Sequence, residues 1–217
     1  DGGVPCFALP GEAARAMTAL VNYHNIRTRH LGDVRTFSDT DPAAGRQILT
    51  AAKEAGKSSL SAEEVYKILA AYKIPTAGWR VAANAEEAVN AAAKIGYPVV
   101  VKADAASILH KSDMGGVVVD LKDGDAVRAA VEKMQQRFSE DKPRFFIQKY
   151  LPGGLELIMG AKAEEGLGHA VMFGLGGIFV EIMKDVVFNL TPVSSGEAGQ
   201  MLSAIKGASM LEGVRGQ

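Results

Sequence analysis

The sequence predicts an α/β (α+β) chain, with a small lobe in which helices alternate with strands and a second lobe built on a mostly antiparallel sheet. Ser61 with Glu64, and Asn84 with Glu87, each open an amphipathic run with a polar residue followed three places on by a carboxylate, the pattern that caps a helix start. Apolar runs of strand length, "PVVVKA", "VVVDL" and "RFFIQKY", are interleaved with the helical runs. After residue 150 the strand-like runs succeed one another through Gly-rich or Lys-Asp turns, with no helix between them.

In chain order, "VPCFAL" at residues 4–9 reads as a short buried strand, and residues 11–28 as a helix with Ala13, Met17, Leu20, Val21 and His24 on one stripe. One strand and one helix cannot cover both their apolar faces, so residues 1–30 read as the end of an earlier domain. The polar stretch "LGDVRTFSDTDPAAG" makes residues 31–59 a linker, with a short helix over 43–55 lying across the boundary.

Residues 60–147 form the first lobe. A helix behind Ser61 carries Val65, Ile68, Leu69 and Tyr72 on its apolar stripe, and "GWRVA" is a strand. The helix behind Asn84 carries Ala88, Val89, Ala92 and Ile95 and stops at Gly96. "PVVVKA" lacks polar alternation, as expected of a strand covered on both faces. "VVVDL", a helix with Val127, Ala130, Val131, Met134 and Phe138 inward, and "RFFIQKY" follow. Residues 148–217 form the second lobe, where "LELIMGAKA", "GHAVMFGL", "IFVEIM" and "VVFNL" read as a meander before a last helix near Gly196. Its completion is expected beyond Gln217, and a chain that begins at Asp1 in a strand-like run reads as a fragment.

Composition narrows the function classes. The 217 residues carry a formal charge of −1, with no basic run interleaved with aromatics, which argues against a nucleic-acid partner. No apolar run approaches the roughly 18 residues that span a bilayer, so no membrane is expected. Cys6 is the single cysteine; it sits in an apolar run and is read as packing. With no targeting tract in view, the expected compartment is reducing and cytoplasmic.

The stretch "GYPVVVKADAASILHKSDMGGVVVDL" carries the chemistry. A lysine in a covered strand is costly unless its ammonium reaches a cleft, so Lys102 is expected to meet an anion. Gly115 and Gly116 have no Cβ, which lets backbone N–H groups turn toward a phosphate; the plainer reading is a turn. One ammonium about 4 Å from a phosphate charge supplies on the order of 4 kcal/mol at an effective dielectric of 20, and micromolar binding needs about 8. Lys102 therefore needs loop donors, a metal and a pocket for a base beside it.

"ILHKSDMGGV" after "YPVVVK", then "IQKYLPGGLELIMG" and "VMFGLGGIFVEIMKDV", with "IKG" and "GVRG" near the end, resemble the ATP-grasp domain of the ADP-forming (NDP-forming) acyl-CoA synthetases, relatives of succinyl-CoA synthetase. "GVPCFALPGEAARAMTALVNY" resembles the tail of the CoA-ligase domain that precedes ATP-grasp in single-chain members. The resemblance implies an ATP-grasp fold and an acid–thiol ligase (acetate–CoA ligase, ADP-forming type) of which this piece alone is inactive. It implies ATP or ADP and Mg2+ as cofactors, with the metal ligands beyond Gln217. The implied partners are the CoA-binding and ligase domains of the same enzyme, which bind the acyl-CoA and carboxylate, in an oligomer.

By the same resemblance, Lys102 contacts the nucleotide phosphates, and Ser112, Asp113, Gly115 and Gly116 belong to the loop that closes over them. His110 takes phosphate from a histidine of the ligase domain and passes it to ADP; its neutral imidazole is the majority form at pH 7 for an ordinary pKa near 6.5. The plainer reading of His110 is a turn cap. Gln148 and Tyr150 flank the crossover between lobes where backbone groups meet adenine, and Glu156 is placed to reach the ribose or a metal. Gly174, Gly176 and Gly177 admit close approach of strands to the nucleotide, with Glu181 beside them, near the nucleotide or paired to Lys184. Two departures stand out: Lys149 where the family commonly has Glu, and Asn189 where members carry Arg. An alternative from another class is a nucleotide-sensing regulatory module fused to a protein acetyltransferase; His110 favours the enzyme. Neither the acyl group nor the choice of ATP over GTP is written in these residues.

Overall fold

Side-chain caps fix where most helices begin. α1 (Pro10–Thr28) has no side-chain cap and starts on a proline. In α2 (Pro42–Glu54) the Asp41 carboxylate accepts from the Ala44 N–H at 3.0 Å. α3 (Ala62–Ala71) opens with the full reciprocal box: Ser61 Oγ accepts from the Glu64 N–H and the Glu64 carboxylate accepts from the Ser61 N–H. Asn84 caps α4 (Ala85–Ile95) and Asp123 caps α5 (Gly124–Arg137). Ser194 and Glu197 repeat the box at α6 (Ser195–Ala204), and a one-turn helix, α7 (Ala208–Leu211), follows. The strands are β1 (Trp79–Ala82), β2 (Val99–Asp104), β3 (Val117–Leu121), β4 (Arg144–Lys149), β5 (Leu157–Glu164), β6 (Gly168–Leu175) and β7 (Val186–Leu190).

The structure is a computed structural model that describes residues 3, 5–29, 31–105, 114–177 and 185–213. It divides into two compact units, Phe37–Gly153 on one side and Asp1–Thr36 with Gly154–Gln217 on the other.

In the unit Phe37–Gly153 an antiparallel sheet runs in the order β1-β4-β2-β3. One face of it is the core. Val99, Val101, Ala103, Phe145 and Ile147 are fully buried against Val127, Val131 and Met134 of α5 and Ala88 and Ala92 of α4. Each such aliphatic or aromatic side chain contributes about 1.5–3 kcal/mol on burial, which fixes the register that sends the alternate residues to the other face. That other face presents Val100, Lys102, Phe146, Gln148 and Trp79, as the pairing of Lys102 with Phe146 and of Gln148 with both Val100 and Trp79 requires.

α3 sits on this second face. Its Tyr66 ring lies 4.7 Å from Phe146 and 5.5 Å from Trp79, centroid to centroid. The predicted stripe is displaced here: Val65 and Tyr72 are exposed, and Tyr66 is the residue turned to the sheet. The reason is that α3 has two neighbours. Tyr72 leans over Gly45 of α2, where a Cβ would stand 2.9 Å from its ring.

The other unit holds the meander β5-β6-β7. Phe173 and Leu175 pack with Met201 of α6 and Ile205 beyond it. Asp185, only 4% exposed, accepts from the backbone N–H groups of Lys206 and Gly207 at 2.7 and 2.8 Å, so a charged side chain pins the segment after α6. Leu31 and Asp33 are joined to this unit, because Gly196 N–H donates to Leu31 O at 2.8 Å and Ser195 N–H to Asp33 O at 3.2 Å.

Two expectations fail in the first residues. Residues 5–7 have no regular structure, because an isolated strand leaves its ladder groups unpaired unless another strand receives them. The stripe of α1 is not covered: Met17, Leu20, Val21 and His24 are exposed, as is Cys6. The "IFVEIM" run lies outside the described residues, whereas "VVVDL", "GHAVMFGL" and "VVFNL" are strands over the whole predicted length. No described helix is long and apolar enough to cross a membrane.

Candidate functional site

Lys102 is the fourth residue of β2 and half-buried on the α3 face of the sheet. Its ammonium donates to Gln148 Oε1 at 2.9 Å, and Gln148 Nε2 donates to Tyr66 Oη at 2.7 Å. The strand lysine and the hinge glutamine, separated by 46 residues, are thus brought together because they stand diagonally on neighbouring strands with the same facing. Tyr66 was not singled out from the sequence; its hydroxyl acquires a role only through β4, 82 residues further along.

The glycine pair stands one strand away. Gly115 has φ +69°, a backbone that favours glycine, and a Cβ on it would meet Arg137 Nη1 at 3.1 Å. The Gly116 carbonyl accepts from the Ala103 N–H at 2.8 Å, so the pair opens β3 directly beside Lys102, whose ladder partner is Val117. Arg137, at the end of α5, is a second cation near this turn that the sequence reading did not name.

At the hinge the backbone is already committed. Lys149 N–H donates to Gly78 O at 2.8 Å and Tyr150 N–H to Pro98 O at 3.1 Å, so both N–H groups are paired within the sheet and its flanking chain. The Lys149 side chain turns to the opposite face and donates to Gly96 O at 3.0 Å and Tyr97 O at 2.6 Å. It caps the carbonyl end of α4, where a cation also meets the negative pole of the helix. Lys149 therefore acts on the α4 side of the sheet, away from the Gln148 side chain.

Glu156 is an exposed residue of the other unit, and its carbonyl accepts from the Gly176 N–H at 2.6 Å. The glycines expected to open toward a nucleotide have close protein neighbours. A Cβ on Gly174 would run into Asp185 O, and one on Gly176 would stand 3.0 Å from the Glu156 carbonyl carbon. One on Gly177 would stand 2.5 Å from Glu156 Oε2. What these glycines admit is protein backbone and the Glu156 carboxylate. Asn189 Oδ1 accepts from the Leu190 N–H, closing on its own strand.

His110, Ser112, Asp113, Glu181 and Lys184 lie outside the described residues. Among the described residues no group of His, Cys, Asp and Glu has the arrangement of a metal site. A cleft of about 570 Å³ beside β1, lined by Glu63, Arg80, Lys94 and Arg144 among others, contains none of the predicted site residues.

Residues 51–217 match the family model described as an ATP-grasp domain. The chain belongs to the ATP-grasp family. Among curated relatives, the beta subunit of acetate–CoA ligase [ADP-forming] I of Pyrococcus furiosus is 42% identical over 180 residues, 81% of this chain and 77% of that subunit. The 4-hydroxybutyrate–CoA ligase [ADP-forming] of Nitrosopumilus maritimus is 36% identical over all of this chain, which spans only 32% of that ligase. Among solved structures, the dinucleotide-forming acetyl-coenzyme A synthetase 1 of Ca. Korarchaeum cryptofilum, in complex with coenzyme A, Ca-AMPCP and HgCl+, superposes with a TM-score of 0.75. It is 37% identical, over 80% of this chain and 78% of the other. A complex of the same synthetase with coenzyme A and Mg-AMPPCP, its phosphohistidine segment pointing towards the nucleotide binding site, is 38% identical with a TM-score of 0.69, over 79% and 76% of the two chains. The predicted α+β class and ATP-grasp fold are therefore those of this chain, and the family is that of the ADP-forming acyl-CoA ligases.

Proposed function

We propose that this ATP-grasp chain is the nucleotide-binding part of an ADP-forming acyl-CoA synthetase. It moves a phosphoryl group between ADP/ATP and a phosphohistidine, coupled to interconversion of acyl-CoA and carboxylate. The observation that carries the reading is the half-buried Lys102 ammonium, held by Gln148 beside the Gly115–Gly116 turn. A cation fixed at one point, with glycine backbone next to it, suits the phosphates of a nucleotide. The ligase names of the relatives favour this reading over a regulatory module.

On this reading Lys102 neutralises phosphate oxygens, with Gly115, Gly116, Ser112 and Asp113 supplying loop donors. Gln148 and Tyr150 border the base, and Glu156 serves the ribose or a metal. His110 receives the phosphoryl group on a ring nitrogen as the bond to the ligase-domain histidine breaks. It then loses the group to the terminal phosphate oxygen of ADP, so that one nitrogen–phosphorus bond is exchanged for another and the second for an oxygen–phosphorus bond. Mg2+, when bound, would screen the charge of the transferring group. The CoA-binding and ligase domains, on the same or another chain of an oligomer, supply acyl-CoA and carboxylate.

The test is His110→Asn in the complete enzyme. Asn is close in size but carries no nucleophilic ring nitrogen, so ATP formation from acyl-CoA, ADP and phosphate is expected to stop. Phosphorylation of the ligase-domain histidine from the acyl side is expected to persist, since His110 enters at the later step. Wild-type turnover in the Asn variant would reduce His110 to a loop residue and end the relay.

A further inference from the structure

We infer that Tyr66 is a positioning residue for nucleotide binding: its hydroxyl anchors the far end of the Gln148 carboxamide, and the carboxamide holds the Lys102 ammonium in place for phosphate. The inference rests on the assignment of Lys102 to the phosphates made above.

The donor and acceptor inventory decides the direction of the chain of contacts. An ammonium only donates, so the 2.9 Å contact from Lys102 must end on Gln148 Oε1. That places Nε2, a donor, on the opposite side of the carboxamide, where it needs an acceptor. Tyr66 Oη is that acceptor at 2.7 Å. Turning the amide over would set its NH2 against the ammonium, donor against donor. The ammonium thus sets the orientation of the amide and the hydroxyl anchors it: without the hydroxyl, Nε2 loses its acceptor and the carboxamide holds Lys102 in a less fixed position.

The tyrosine is well placed to impose this because its ring does not swing freely. It is packed 4.7 Å from Phe146 and 5.5 Å from Trp79, which are themselves stacked at 5.3 Å. Its helix is tied to the same strands at its first turn. The Ala62 N–H donates to Asp104 Oδ2 at 3.0 Å, and Glu63 pairs with Arg144 at 2.8 Å. Asp104 lies two residues past Lys102 on the same face of β2. β2 therefore locates the start of α3, and α3 returns, through Tyr66 and Gln148, to locate the Lys102 ammonium. The closed circuit uses a tyrosine that makes no demand on nucleotide contact itself.

A double-mutant cycle on the complete enzyme tests this, with the Kd of Mg-ADP read by calorimetry for wild type, Tyr66→Phe, Lys102→Ala and the double variant. Phe keeps the ring and removes the acceptor. We expect Tyr66→Phe to raise Kd roughly 3–10-fold, the worth of one net hydrogen bond, and to add nothing once Lys102 is already Ala. A merely structural tyrosine would lower Tm and leave that coupling at zero. Wild-type affinity in folded Tyr66→Phe, or losses that simply multiply in the double variant, would overturn the inference while leaving Lys102 in the site. Wild-type affinity in Lys102→Ala would sink the phosphate assignment and this inference with it. Should Tyr66→Phe fail to fold, Gln148→Leu breaks the same chain at its middle member and must show the same non-additivity with Lys102→Ala.

Discussion

The Lys102 ammonium is held by Gln148 Oε1 at 2.9 Å, a contact between two strands that the register of β2 against β4 makes possible. Gln148 is a neutral partner that fixes the position of the ammonium, which is what an anion subsite needs. Lys102→Ala in the complete enzyme is therefore expected to weaken Mg-ADP by about 10–100-fold, from the ~1.5–3 kcal/mol of a charged hydrogen bond. The rise in Tm that saturating Mg-ADP gives should shrink in proportion. A folded variant whose melting temperature still rises as in wild type would remove Lys102 from the site.

Lys149 gives a different kind of prediction, since its ammonium is spent on the carbonyls of Gly96 and Tyr97 at the end of α4. Lys149→Met keeps most of the aliphatic stem and leaves two carbonyls without their cation, at a cost of about 1–2 kcal/mol in urea unfolding. Lys149→Glu should cost more than Met, because it sets a carboxylate against two carbonyl oxygens. Equal stability of the two variants would show that the cap contributes little.

Much of this architecture was legible because caps and periodicity are local. Ser61 and Asn84 announce their helices within four residues, and Val127, Ala130, Val131, Met134 and Phe138 fall inward as the 3.6-residue period demands. Lys102 was legible as a costly charge in an apolar strand. Tyr66 was not, because what gives it meaning is a glutamine on a distant strand and a helix that divides its stripe between α2 and the sheet. The side of Lys149 was equally hidden: a residue's facing follows from register, and register belongs to the sheet as a whole. Gly174 and Gly176 announced a close approach of strands to a nucleotide, and the neighbours that their own residues could not name are the backbone of Asp185 and Glu156.

The α3 cap carries a pH dependence. Glu64 is lowered from 4.5 to about 2 by its hydrogen bond with Lys57, then by the Ser61 N–H and hydroxyl. A depressed carboxylate contributes stability that is complete above its ordinary value and is lost as pH falls toward the folded value, here between about 4.5 and 2. The group is largely solvated, so the contribution is small. Comparing wild type with Glu64→Gln, the Tm gap should be widest above pH 5 and close steadily toward about pH 2. A gap independent of pH across that range would assign the effect to the shape of the side chain and not to its charge.

Gly115 joins the sequence motif to the fold at one backbone angle. At φ +69° an L side chain is strained, and a Cβ would also press on the Arg137 guanidinium at 3.1 Å, which lies at the end of a flexible side chain and is able to give way. The strain therefore dominates, and Gly115→Ala should cost about 1 kcal/mol of stability. Gly115→Asn should cost less, since Asn tolerates the left-handed region, and Gly115→Val more, since a β-branched residue tolerates it least. If the turn's backbone also faces phosphate, Mg-ADP affinity must fall in the same order, with Val weakest and Asn nearest to wild type, in variants that remain folded at the assay temperature. Stability falling in this order while Kd stays constant would leave Gly115 as the opening turn of β3 and take the glycine pair out of the nucleotide site.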